Sequence, residues 1–198
     1  MSEKYTGVKF KTFFIEEVAP ENDQKLKQLM SWCNVFQKNN LTPIANGASS
    51  GNLSFRLQPG SNVFVITGTQ LALNRRLSPS DFVSVWDIDF TKQMVYAEGL
   101  CEPSSESMLH YSIYKMRPDV NAIFHGHSDF LLSNSAPNTP ITKKEAPYGT
   151  QDMVGQVLQV LQANNYLLIK NHGFLSLGGD MNFAGNQVLE MLGKIEQK

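Results

Sequence analysis

Residues 114–128 read YKMRPDVNAIFHGHS, and this stretch decides the fold class. Its opening residues close a segment, Ser104 to Met116, whose apolar positions Met108, Tyr111, Ile113 and Tyr114 suit a helix with a buried face. Arg117-Pro118-Asp119 ends that helix, because a proline pushes the residue before it out of the helical region. Val120 to His127 then reads as a strand. On a strand, residues two apart point to the same face, so His125 and His127 project side by side. Two imidazoles so placed can ligate one metal ion, although the same HxH spacing also fits a pair of ordinary histidines.

Working outward, the C-terminal part holds the third histidine of interest. His172 lies in Lys170-Asn171-His172-Gly173, directly after the apolar strand Tyr166 to Ile169. A strand end followed by glycine is a place where a side chain can project into a cleft. Asp152 to Gln162 and Phe183 to Ile195 have helical spacing, and the Pro-, Thr- and Asn-rich residues 134–150 read as loop. Towards the N-terminus, VFVIT (63–67) and LSFRL (53–57) form strands around the turn 58–62, which suggests a hairpin. Phe82 to Ile88 and Gln93 to Ala97 are two more strands. Gln24 to Lys38 is a helix behind the turn 20–23, and residues 8–18 alternate as a strand would. Helices mixed with hairpin-like strand pairs indicate an α/β chain with a mixed or mainly antiparallel sheet. No linker divides it, so one domain is expected.

The bulk numbers exclude several classes. A chain of 198 residues with 41% hydrophobic and 18% charged residues can bury a sizeable core. A formal net charge of -1 gives no broad electrostatic grip on nucleic acid. No apolar run approaches the length that spans a bilayer, and the N-terminus has no apolar signal-peptide core. The two cysteines, Cys33 and Cys101, form no CxxC pair and imply no disulfide framework, which favours a cytoplasmic location.

Other residues could carry chemistry beside the histidines. Glu106 can shuttle a proton at a metal site, although by spacing alone it is more simply a capping-box glutamate in the first turn of a helix capped by Ser104 or Ser105. The loops Gly51-Asn52-Leu53-Ser54 and Thr67-Gly68-Thr69, with the helix N-terminus at Ser104 and Ser105, have the amides and hydroxyls that suit an anion. His110, four residues beyond Glu106 on the helix, reads as a structural histidine.

Taken together, GNLS (51–54), ITGT (66–69), EPSSE (102–106) followed by His110, YKMRPDVNAIFHGHS (114–128), APYGT (146–150) and KNHG (170–173) resemble the class II aldolase/adducin family. The motifs occur in the family's order and cover most of residues 25–195. The resemblance implies a three-layer α/β/α fold around a mixed, mainly antiparallel sheet. It makes residues 1–198 a single domain with residues 1–20 as an N-terminal extension. It assigns a divalent metal, Zn2+ or else Mn2+ or Co2+, to His125, His127 and His172, and the acid/base role to Glu106. Asn52, Thr67, Gly68, Ser104 and Ser105 fall where the family holds substrate phosphate. The implied activity is a lyase's: aldol cleavage or condensation of a small phosphorylated sugar through a metal-stabilised enediolate, in a homotetramer. Within the same superfamily a dehydratase, epimerase or decarboxylase shares the metal frame, and an adducin-like interaction domain is the non-catalytic alternative. One departure stands out. Only Ser128 to Glu145 separate His127 from the APYG motif, and this stretch lacks the tyrosine that family aldolases use to protonate the leaving group.

Overall fold

The computed structural model describes residues 7–45 and 47–196, so the first six residues of the N-terminal extension and Asn46 lie outside the description. The first described strand is β1 (Lys11–Glu16). Helix α1 (Gln24–Lys38) follows and is capped by Asp23, whose Oδ1 accepts from the Leu26 amide at 2.8 Å. Its buried stripe of Leu26, Leu29, Cys33 and Phe36 has the spacing read from the sequence.

A short hairpin, β2 (Ile44–Ala45) and β3 (Ala48–Ser49), precedes the hairpin of β4 (Gly51–Arg56) and β5 (Phe64–Thr67). Next come β6 (Phe82–Asp89) and β7 (Met94–Gly99), helix α2 (Ser107–Met116) and β8 (Ala122–Gly126). Helix α3 (Asp129–Ser133), helix α4 (Gln151–Leu161), β9 (Tyr166–Ile169), β10 (Gly173–Gly178) and helix α5 (Met181–Glu196) complete the described order.

The large sheet has eight strands in the order β1-β7-β6-β5-β4-β8-β10-β9. Strand β1 runs parallel to β7, and every other neighbouring pair in this sheet is antiparallel. Strand parity sorts the side chains into two cores. On one face Ile66, Val83 and Ile123 pack with α2 and α4. On the other, Leu53, Phe55 and Phe124 pack with α1 and α5. The rings of Phe36 and Phe124 meet edge to face there, with centroids 5.3 Å apart. This is the three-layer α/β/α arrangement around a mixed, mainly antiparallel sheet.

Three local readings change. Strand β10, GFLSLG, is not predicted from its short, glycine-flanked pattern, yet it lies between β8 and β9 and is buried throughout. Helix α3, in the stretch after His127, is likewise not predicted; it is a single capped turn, with Ser128 Oγ accepting from the Leu131 amide. Helix α2 begins later than expected. Its N-cap is Glu106 rather than Ser104 or Ser105, and Glu106 makes no side-chain capping bond. The capping-box reading of Glu106 therefore fails, because its carboxylate is engaged elsewhere. Cys33 and Cys101 are free thiols.

Candidate metal centre

Three central strands and one helix end deliver the site. His125 is the penultimate residue of the buried strand β8, and its Cα partners are Asn52 on β4 and Leu175 on β10. His127 follows one residue beyond β8, where its amide donates to the Leu41 carbonyl at 2.8 Å. Gly126 between them allows this close approach. A Cβ there would stand 2.5 Å from the Leu41 carbonyl oxygen and 2.5 Å from Phe174 Cζ.

His172 comes from the tight turn between β9 and β10. Asn171 takes the left-handed conformation (φ 57°) that asparagine tolerates better than most residues. Gly173 presses the turn onto β8, since a Cβ on it would lie 2.3 Å from the Gly126 carbonyl oxygen.

The three rings converge. His125 and His127 bring their Nε2 atoms to 3.1 Å, and His125 stacks on His172 with centroids 5.1 Å apart. One nitrogen from each ring lies within 4.8 Å of the others. Two tetrahedral ligands at the zinc–nitrogen distance of roughly 2.0–2.1 Å stand about 3.3 Å apart, so the observed spacing suits a single ion.

Protonation favours the same use. The Phe174 carbonyl can only accept, so the His125 Nδ1–H donates to it at 2.8 Å and Nε2 keeps its lone pair for the site. Burial pushes the pKa of His125 below the ordinary imidazole value, and burial with the neighbouring rings pushes His127 well below it. Both are neutral at neutral pH, which is the form that binds metal.

Glu106 closes one side of the cluster. Its Oε1 lies 3.0 Å from His172 Nε2 and its Oε2 3.2 Å from His125 Nε2. Asn52 Nδ2 donates to the same Oε2 at 2.9 Å. Burial opposes the carboxylate charge. The imidazoles of His125 and His172 and the Asn52 amide outweigh it and hold Glu106 well below the usual carboxylate range. Asn52 Oδ1 is buried and has no hydrogen-bond partner among the described residues, so it can accept from a bound hydroxyl.

The anion-loop candidates gather behind Glu106. The Ser104 amide donates to the Thr67 carbonyl at 3.2 Å, and Gly68 bridges to Pro103. Thr67 Oγ1 accepts from the Leu53 amide at 3.4 Å, next to Asn52. Ser105 packs under the APYG motif, where a Cβ on Gly149 would stand 2.8 Å from the Ser105 carbonyl oxygen. Two expectations change here. Gly51-Asn52-Leu53-Ser54 is no loop but the first part of β4, because its backbone pairs with β8. The amides of Gly68, Thr69 and Ser104 are all committed to carbonyls, so this is no open nest of N–H groups. The hydroxyls of Thr67, Ser104 and Ser105 are the side-chain donors an anion would meet there.

The family model for the class II aldolase and adducin N-terminal domain matches residues 27–193. The chain belongs to this family. The L-fuculose phosphate aldolase of Methanococcus maripaludis is 28% identical over 167 residues, covering 74% of this chain and 84% of that protein. The 3-oxo-tetronate 4-phosphate decarboxylase of Haemophilus influenzae is also 28% identical, over 72% of this chain and 73% of that protein. Among solved structures, an L-fuculose 1-phosphate aldolase superposes with a TM-score of 0.69 at 22% identity, covering 90% of this chain and 85% of its own. That likeness supports the fold.

Sequence reading missed several groups that build this site. Gly126, the Phe174 carbonyl and the Leu41 carbonyl act through backbone geometry that no motif announces. His110 is fully buried, as its structural reading requires.

Proposed function

We propose that this chain is a divalent-metal-dependent lyase that makes or breaks a carbon–carbon bond in a small sugar phosphate. The observation that carries the reading is the Glu106 carboxylate lying 3.0 and 3.2 Å from two of the three convergent histidines. His125, His127 and His172 would hold Zn2+, or Mn2+ or Co2+, and the bound ion would supply Lewis-acid polarisation of substrate oxygens.

The remaining chemistry belongs to the chain. Glu106 is a carboxylate at neutral pH, the form of a general base. In the condensation direction it takes the proton from the carbon beside the substrate carbonyl, and the electron pair passes into an enediolate that adds to an aldehyde. The alkoxide formed in condensation takes its proton from water. In cleavage that hydroxyl gives its proton to water, the carbon–carbon bond electrons pass into the enediolate, and Glu106, protonated in turn from solvent, returns a proton to that carbon. Asn52 orients Glu106 through its amide hydrogen bond. Thr67, Gly68, Ser104 and Ser105 form the wall where the phosphate would sit, with the hydroxyls as donors. The reading includes one domain over the family match, a homotetrameric assembly and a cytoplasmic location.

A decarboxylase is the second reading. The Haemophilus influenzae decarboxylase has the same 28% identity to this chain as the Methanococcus maripaludis aldolase. Loss of carbon dioxide from a 3-oxo acid also leaves an enolate-type carbanion for Glu106 to protonate.

The test is incubation of metal-loaded protein with a panel of ketose 1-phosphates, with dihydroxyacetone phosphate release as the readout. Release from at least one substrate is expected. Its absence from every substrate would sink the aldolase reading, and carbon dioxide release from a 3-oxo acid phosphate would favour the decarboxylase. Purified protein without stoichiometric metal, together with an unaltered His125→Ala variant, would sink both and leave the adducin-like interaction domain.

A further inference from the structure

The seam between β4 and α2 carries a buried polar ladder. Asn52 bonds Glu106 at 2.9 Å, Ser54 Oγ meets His110 Nδ1 at 2.7 Å and Tyr114 OH at 2.8 Å, and Arg56 Nη2 donates to the Tyr114 carbonyl at 2.8 Å. These residues are two apart on the strand and four apart on the helix. Two strand residues advance about 6.7 Å and four helix residues 6.0 Å, so the rungs stay in step over this length.

The ladder is costly to misalign. Ser54 and His110 are fully buried, and a buried polar group without its partner loses free energy that an apolar contact would not. The surroundings on this face are apolar, including Ile66, Leu109 and Ile113, and such contacts tolerate a small slide or rotation. The Ser54–His110 bond does not. Between the Asn52–Glu106 and Arg56–Tyr114 rungs, it is the one that holds the rotation of α2 one turn behind Glu106.

The geometry points to His110 as a positioning residue: through Nδ1 and Ser54 it holds α2 in the register that sets the Glu106 carboxylate against His125 and His172. This rests on the acid/base reading of Glu106, and it deepens that reading. His110 itself stays neutral, because burial drives its pKa down to about 3. The arrangement is thus a neutral hydrogen bond on Nδ1, while Nε2 has no partner among the described residues.

That asymmetry supplies the test. Asparagine places an amide where Nδ1 stands, whereas glutamine places it at Nε2. Three variants, His110→Asn, His110→Gln and Ser54→Ala, are compared by two readouts. The first uses the full-length, metal-free protein: the downfield proton resonance of the imidazole N–H shared by His172 and Glu106, identified by its loss in Glu106→Gln. The second is kcat against KM on the ketose 1-phosphate panel with zinc loaded.

His110→Asn should keep the resonance and stay within about tenfold of the parent kcat, while His110→Gln and Ser54→Ala should lose the resonance and about 10²-fold in kcat. In these two variants KM and metal stoichiometry should be retained. Retention of the resonance in His110→Gln and Ser54→Ala overturns the proposal, as does equal loss in Asn and Gln variants that both fold. If neither His110 variant folds, Ser54→Ala decides alone. Should no substrate turn over, the proposed function fails while the resonance still decides the positioning role.

Discussion

Replacing Gly126 by alanine tests whether the histidine pair depends on backbone close approach as much as on the histidines. The added Cβ would lie 2.5 Å from the Leu41 carbonyl oxygen and 2.5 Å from Phe174 Cζ, whereas ordinary contact begins at 3.4 Å. About 0.9 Å must be found. Phe174 is wholly buried against Phe36 and Tyr166, so its ring cannot simply swing away. The Leu41 carbonyl is the acceptor for the His127 amide, so moving it moves the next residue of the site. Metal–ligand distances tolerate about ±0.2 Å, and the displacement exceeds that several-fold. Zinc affinity should fall by at least about 10–100-fold, the loss seen when only ligand-orienting groups are removed, with about 1–3 kcal/mol of overpacking strain in stability. Competition with a chromophoric chelator reads the first quantity and urea denaturation of metal-free protein the second. Unchanged zinc affinity in a variant that folds would refute the reasoning, because it would show that the histidines hold their spacing without the glycine.

Further expectations concern Glu106, acid stability and the aromatic core. Glu106→Gln should retain stoichiometric metal and lose about 10²-fold or more in turnover, measured by metal analysis beside the triose phosphate assay; retained turnover would refute its assigned role. Acid should destabilise the metal-free protein through His110. Its folded pKa of about 3 lies below the ordinary 6.5, so between these values the unfolded chain binds the extra proton and stability falls as pH falls. From pH 7 to pH 4 this is about 3 kcal/mol. His110→Asn should lose less stability by roughly that amount, and identical urea midpoint shifts in the two proteins would contradict it. Phe36→Ala should cost about 3–5 kcal/mol, because the ring is fully buried and meets Trp32, Phe124 and Phe174; a loss below about 1 kcal/mol in urea denaturation would mean that the site collapses around the gap.

The sequence by itself determined the α/β class, the helix from Gln24 to Lys38, the strand pairs around residues 53–67 and 82–97, and the prospective ligands. Periodicity is a local property, and the order of the motifs around His125, His127 and His172 narrowed the family before any coordinates. Local signals failed where the decisive partner is distant in the chain. Glu106 reads as a first-turn capping residue until Asn52, His125 and His172 are folded against it. Strand β10 is not predicted from its own residues and takes shape because β8 and β9 pair with both its edges. Gly126 looks like a spacer until the Leu41 carbonyl arrives beside it. Only the tertiary structure decided that Thr67-Gly68-Thr69 meets the segment before α2 behind Glu106, that the amides of Gly68, Thr69 and Ser104 are already committed, and that His110 is tied to Ser54. The physical reason is common to all of these. Residue spacing sets which side chains share a face of one element, whereas hydrogen-bond satisfaction and close approach are set by the element packed against it.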